Sequence, residues 1–102
     1  MNGRDKIVVL PHPHPGETLL EDFMKPMGLN QRQLALQLSV APQKINEIVN
    51  GKRGITTETA LRLEVAFGVS AEFWLGLQAD YDLVMARDSL LPVFSKEVKV
   101  LC

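Results

Sequence analysis

The sequence predicts an all-α domain built from five helices, and three observations support this fold class. Apolar residues recur at helical spacing along most of the chain after residue 14. Asparagine, serine, threonine, proline and glycine residues punctuate these stretches where helices would begin or end. The chain has 102 residues, of which 46% are hydrophobic, and this is enough for one domain with a modest core.

The N-terminal part is predicted to be an arm followed by the first helix. Residues 1–14 form the arm, because the prolines around His12 and His14 disfavour regular structure. Pro15 opens the helix, Glu17 lies near its positive end, and Gly28 closes it. The apolar residues expected on its buried side are Leu19, Leu20, Phe23, Met24 and Met27.

Two short helices joined by a tight turn are predicted at about residues 30–38 and 42–50. Asn30 can cap the first, Pro42 fits the first turn of the second, and Asn50 followed by Gly51 provides a left-handed stop. The corner contains Ser39, where glycine would adopt a left-handed conformation more easily. The residues expected to face each other are Leu34, Ala35, Leu38, Ile45, Ile48 and Val49. This pattern is typical of a helix-turn-helix, whose second helix can enter the major groove of DNA.

The outer face of the second helix decides between DNA binding and the alternative, two core helices of a small bundle. The polar side chains opposite its apolar face are Gln43, Asn46, Glu47 and Asn50. Gln and Asn can bond adenine, Lys44 on the flank can donate to guanine, and Glu can accept from cytosine. Lys52 and Arg53 follow, where phosphate contacts are expected. The pattern favours nucleic-acid binding.

The charge distribution agrees with a sequence-specific binder rather than a general one. The net charge is −1, which argues against indiscriminate binding to nucleic acid. Residues 30–55 carry four cations and one anion, whereas residues 56–82 carry one cation and five anions. The basic segment therefore coincides with the helix-turn-helix.

Two further helices and a tail complete the prediction. The fourth helix covers about residues 57–67, after a cap at Thr56. The fifth begins after Ser70 and runs to about Arg87, with an aromatic stripe that we interpret as core. The helical DNA-binding domain is thus expected to span residues 15–88. Residues 89–102 are expected to form a short C-terminal strand or an extended tail, separated from the helix by Pro92 and available for dimerisation.

The sequence gives no support for an enzyme, a metal site or a cofactor. His12 and His14 are two residues apart, but no Cys, Asp or Glu cluster completes a metal site around them. Cys102 is the single cysteine and has no partner for a disulfide or for nucleophilic catalysis. No apolar run is long enough to span a membrane, so the expected location is the cytoplasm.

Three segments carry a family resemblance that covers about residues 14–83. They are HPGETLLEDFMKPMGLNQRQLA, INEIVNGKRGITTETALRLEVAFG and AEFWLGLQADYDL. Together they resemble the HigA antitoxins, within the larger Cro/cI-type (XRE) group of helix-turn-helix proteins. General helix-turn-helix proteins share the central helix-turn-helix itself. The HPGE opening, NGKRGIT and FWLGLQADYDL are the parts more specific to the HigA antitoxins.

The resemblance implies a five-helix, lambda-repressor-like DNA-binding domain that forms a homodimer and represses its own operon at an operator. It also implies a HigB-type toxin, a ribonuclease that the antitoxin neutralises by direct binding. The DNA-facing positions that match, together with Asn50 from the polar face above, are Gln31, Arg32, Pro42, Gln43, Lys44, Asn46, Asn50, Lys52 and Arg53. A stand-alone phage-type regulator without a toxin partner is the alternative.

Overall fold

A computed structural model of the protein describes residues 13–102, and this part of the chain is helical without any strand. The helices are α1 (Pro15–Thr18), which continues as a π-helical turn (Leu19–Met24), α2 (Gln31–Leu38), α3 (Pro42–Val49), α4 (Thr57–Phe67) and α5 (Ala71–Glu97). Counting α1 and the π-helical turn as one helix, the five predicted helices are confirmed. The predicted N-terminal arm lies mostly outside the described residues, and so does His12.

The helix caps are those that the sequence predicts. Asn30 and Gln33 form a reciprocal capping box at the start of α2, with N···O distances of 2.7 and 2.8 Å. The hydroxyl of Thr56 accepts a hydrogen bond from Thr59 N at α4, and that of Ser70 accepts one from Phe73 N at α5. Each side chain satisfies a backbone N–H that the helix itself leaves unpaired.

The core lies where α2, α3, α4 and the start of α5 meet the first helix. The fully buried apolar residues include Leu19, Met24, Leu34, Ile45, Ile48, Leu63 and Trp74. Leu20 and Phe23 are half-buried and pack against this core from one side. The predicted burial of Met27 is wrong: it is 60% exposed, because it lies in the turn after the first helix.

The C-terminal part differs from the prediction. The fifth helix does not stop near Arg87 but continues to Glu97, with Pro92 inside it. Proline removes one backbone donor, and this 27-residue helix keeps its regular form on both sides of that position. The predicted short strand is therefore wrong, and only residues 98–102 form a non-helical tail. Within the described range, no helix combines the length and apolarity needed to cross a bilayer.

A glycine sets the position of α3 against the first helix. A Cβ atom at Gly16 would lie 1.8 Å from the Ile48 carbonyl oxygen and 2.6 Å from its carbon. The backbones of the two helices thus approach so closely that only glycine fits. The first helix packs against the C-terminal end of α3, just before Lys52 and Arg53.

Candidate nucleic-acid interface

The turn between α2 and α3 has the geometry of a helix-turn-helix. Ser39 adopts the predicted left-handed conformation, with φ 56° and ψ 47°. The α4 residue Arg62 donates a hydrogen bond of 2.9 Å to the Leu38 carbonyl and so satisfies the end of α2. Burial of Ile45 and Ile48 fixes which face of α3 points outward. The turn and the core together hold α3 at the surface in one orientation.

The outward face of α3 carries the polar side chains that the sequence placed there. Pro42, Gln43, Asn46 and Asn50 are exposed, and Lys44 is half-buried on the flank. Lys52 and Arg53 are exposed in the loop that follows. The surface thus presents amide donors and acceptors with cations at its edge, a combination suited to base edges and phosphates.

One hydrogen bond joins the two helices across this surface. The Asn46 amide Nδ2 donates to Gln31 Oε1 over 3.1 Å, so the start of α2 contacts the middle of α3. An amide nitrogen carries two donors, so this bond uses one of the two N–H groups of Asn46. Arg32 is exposed beside Gln31. The structure therefore brings Gln31 of α2 and Asn46 of α3, two of the predicted site residues, into direct contact.

Glu47 links Gln43 on α3 to Arg53 in the loop that follows, and the sequence did not predict that role. Its carboxylate accepts hydrogen bonds from Arg53 Nε over 2.7 Å and from Gln43 Nε2 over 3.2 Å. A third contact, from Arg53 Nη2, also measures 2.7 Å. The hydrogen bond from Arg53 is the main reason that the pKa of Glu47 lies below its ordinary value. Arg53 is thus held beside α3 by a carboxylate, and its expected phosphate contact stays a prediction.

The loop after α3 has two anchors. Gly51 is left-handed with φ 74°, and the Gly51 and Lys52 amides donate to the Ile48 and Glu47 carbonyls. At the other end, the Gln78 side chain of α5 accepts a hydrogen bond from Ile55 N over 2.7 Å. Sequence interpretation missed Gln78, because its partner Ile55 lies 23 residues away and no local pattern links the two.

His14 has a structural role at the edge of this region. Its Nδ1 accepts a hydrogen bond of 2.9 Å from Gly16 N, and its ring packs edge-on against Tyr81 at 4.9 Å. Burial lowers the pKa of His14, against an opposing effect of Asp82. Among residues 13–102, no group of three His, Cys, Asp or Glu side chains could hold a metal ion.

Known proteins resemble this chain in sequence. The family described as Helix-turn-helix matches residues 20–74. Virulence-associated protein I of Dichelobacter nodosus is 54% identical over 78 residues, which are 76% of this chain and 72% of that protein. The uncharacterized HTH-type transcriptional regulator YbaQ of Escherichia coli strain K12 is 39% identical over 69 residues, or 68% of this chain and 61% of that one.

Solved structures resemble it in fold. The antitoxin GraA superposes with a TM-score of 0.87 at 35% identity. The match covers 91% of this chain and 100% of that chain. The Pseudomonas aeruginosa antitoxin HigA, solved with the higBA promoter, superposes with a TM-score of 0.86 at 34% identity. That match covers 89% of this chain and 99% of the other.

Proposed function

Because this chain belongs to the XRE-type helix-turn-helix family that includes the HigA antitoxins, we propose that it represses its own operon and neutralises a toxin. In this proposal it binds its operator as a homodimer. It also binds a HigB-type ribonuclease directly and thereby blocks it. The proposal of DNA binding is supported by the geometry of the site, whereas the proposal of toxin binding is supported only by similarity to antitoxins.

A single observation supports DNA binding most strongly: the amide-rich outer face of α3. Gln43, Asn46 and Asn50 are exposed together, opposite the fully buried Ile45 and Ile48. Exposed amides at these spacings can read adenine in the major groove, and Lys44 can donate to guanine. The HigA structure from P. aeruginosa was solved with promoter DNA, which supports the same use of this fold.

The remaining site residues have a different proposed task. Gln31 and Arg32 lie at the start of α2, and Lys52 and Arg53 follow the end of α3. We assign them to phosphates, which set the position of the protein on the duplex without reading sequence. Pro42 is the first residue of α3, and we assign it to the point at which the helix would meet the groove.

The experiment is a titration of the full chain with the promoter duplex of its own operon and with a scrambled duplex of equal length. With a net charge of −1, non-specific affinity should be poor. At physiological salt we expect the promoter to bind about a thousandfold more tightly than the scrambled duplex. Equal affinity for both duplexes would contradict sequence-specific repression.

The proposed dimer uses the C-terminal half of α5. Apolar residues along this segment are exposed and spaced three or four positions apart, as in a helix–helix seam. The residues that line a shallow groove along it are Leu83, Ala86, Arg87, Leu90, Leu91 and Phe94. A second copy on this face would bury apolar surface that a monomer leaves in water. It would also supply the second recognition helix, about 34 Å from the first.

Sedimentation of two truncated chains tests the dimer. A chain that ends before Pro92 loses the last part of α5, whereas a chain that ends at Glu97 loses only the non-helical tail. We expect the first truncation to weaken the dimer and the second to leave it nearly unchanged. Monomers for the full chain and both truncations would rule out this interface.

Toxin binding separates the proposal from the alternative, a stand-alone transcriptional regulator. The names of the relatives support both, since GraA and HigA are antitoxins whereas YbaQ is described as a regulator. The test is to co-express this chain with any short basic reading frame beside its gene. Co-purification and restored growth support the antitoxin function. A neighbouring ribonuclease that stays toxic and unbound would favour the stand-alone regulator.

A further inference from the structure

Gln78 on α5 joins the helix that carries the proposed dimer face to the loop that carries two of the proposed phosphate contacts. We define the basic loop as residues 51–55, between α3 and the cap of α4. We propose that Gln78 is a positioning residue that holds the basic loop, and with it Lys52 and Arg53, in the geometry that DNA binding needs. This inference rests on the proposed DNA-binding function.

The contact between Gln78 and the loop is short and specific. The Gln78 Oε1 atom accepts a hydrogen bond of 2.7 Å from the Ile55 backbone N–H, 23 residues away in the chain. The Ile55 side chain is 3% exposed, so its backbone enters the core at this point. If the Ile55 N–H loses this acceptor inside the core, water does not replace the bond, and the free energy of that arrangement rises. The loop therefore has a strong preference for the position in which Gln78 reaches it.

A neighbour on α5 sets the orientation of the Gln78 amide. Its Nε2 donates to Asp82 Oδ1 over 2.9 Å, one helical turn further along α5. This contact directs Oε1, rather than the amide nitrogen, toward the loop. Gly54 permits the approach, since a Cβ atom there would lie only 3.0 Å from the Gln78 Cδ and Nε2 atoms.

The position of this anchor explains its expected effect. The loop is already tied to α3 at one end, through the Gly51 and Lys52 amides. Among the hydrogen bonds of the described residues, Gln78 supplies the tie at the other end. Lys52 belongs to the first tie through its backbone, and Arg53 lies between the two ties with its side chain also held by Glu47. Release of the Gln78 tie would let the loop backbone after Lys52 sample more positions, and ordering both cations on phosphates would then cost more conformational entropy.

Amide hydrogen exchange of the full chain tests the anchor without DNA. Gln78→Met keeps the length of the side chain but removes its hydrogen bonds, and Gln37→Met makes the same substitution at an exposed site on α2. We expect the Ile55 amide to exchange about five- to tenfold faster in Gln78→Met, with Leu63 in α4 unchanged. Asp82→Ala should accelerate Ile55 in the same direction, and this exposed site does not threaten folding. Unchanged Ile55 exchange in both Gln78→Met and Asp82→Ala would overturn the proposal.

A double-mutant cycle on promoter DNA tests the link to function. We expect Gln78→Met to weaken promoter binding about three- to tenfold, and Gln37→Met to leave it unchanged. Lys52→Ala should then cost less in the Gln78→Met background than in the wild type, whereas Arg32→Ala on α2 should cost the same in both. If the two cation variants behave alike, a general loss of stability explains the effect and the positioning role is refuted. Failure of the wild-type chain to prefer its promoter would instead refute the proposed function, and the exchange result would still decide whether Gln78 anchors the loop.

Discussion

Gly16→Ala should destabilise the fold severely, because the first helix touches the backbone of α3 at this residue. The added Cβ atom would lie 1.8 Å from the Ile48 carbonyl oxygen, 2.6 Å from its carbon and 3.0 Å from Val49 Cα. All three are backbone atoms, so no rotation of a side chain relieves the clash. The two helices must separate.

The size of the effect follows from these distances. Real Cβ atoms essentially never approach other heavy atoms within 3.0 Å, so the two backbones must part by about 1 Å or more at Gly16. Overpacking of a rigid core costs about 1–3 kcal/mol, and we expect the upper end here. A small domain has only about 5–15 kcal/mol of stability to lose. The shift would also tilt α3, which carries the proposed reading face.

Gly76→Ala is the matched control. Gly76 is an exposed residue of α5, and a Cβ atom there would meet nothing within 4 Å. Alanine is the better helix former, so this variant should be about 0.5–1 kcal/mol more stable than the wild type. The same substitution is thus expected to have opposite signs at two glycines.

Urea unfolding followed by tryptophan fluorescence measures both variants. Trp74 is fully buried and packs against Phe23 and Phe73, with ring centroids 4.8 and 5.1 Å away, so its emission should report loss of the core. The free energy of unfolding should fall by about 3 kcal/mol for Gly16→Ala and rise slightly for Gly76→Ala. A Gly16→Ala protein as stable as the wild type would refute the close approach of the two helices.

Three other predictions concern the turn between α2 and α3 and the acidic residue of the proposed DNA-binding surface, Glu47. Ser39→Gly should raise the free energy of unfolding by about 1 kcal/mol in the same assay, because Ser39 is left-handed at φ 56°; a loss of stability would contradict this. Glu47→Gln should release Arg53 and tighten binding to scrambled DNA about two- to fivefold at low salt. Unchanged affinity would show that Glu47 does not compete with phosphates for Arg53. Since Arg53 lowers the pKa of Glu47, the stability that this ion pair contributes is present above the ordinary value of 4.5. It is lost as the pH falls through the lowered value, and an acid titration of Glu47→Gln should lack that component.

Features that depend on local chemistry were predictable from the sequence. Asn30 caps α2, Ser39 takes the left-handed turn and Pro42 begins α3, because each role depends on a residue and its immediate neighbours. The outward face of α3 follows from helical periodicity in the same way. Its use in DNA recognition, residue by residue, stays a prediction.

Features that depend on distant contacts or on exceptions to local rules were not predictable. Pro92 signals the end of a helix in most sequences, yet α5 continues through it to Glu97. The pairing of Glu47 with Arg53 depends on how the loop folds back along α3. The bond from Ile55 to Gln78 joins residues 23 positions apart, which no periodic pattern reveals.

The most direct test of the proposed function compares Gln43→Ala and Lys52→Ala on promoter and scrambled duplexes at two salt concentrations. Gln43→Ala should lose about 1–3 kcal/mol on the promoter and relax the preference for one base, with an unchanged salt slope. Lys52→Ala should weaken binding to both duplexes alike and lower the salt slope by about one. If Gln43→Ala discriminates between the duplexes as well as the wild type does, α3 is not the helix that reads the base sequence.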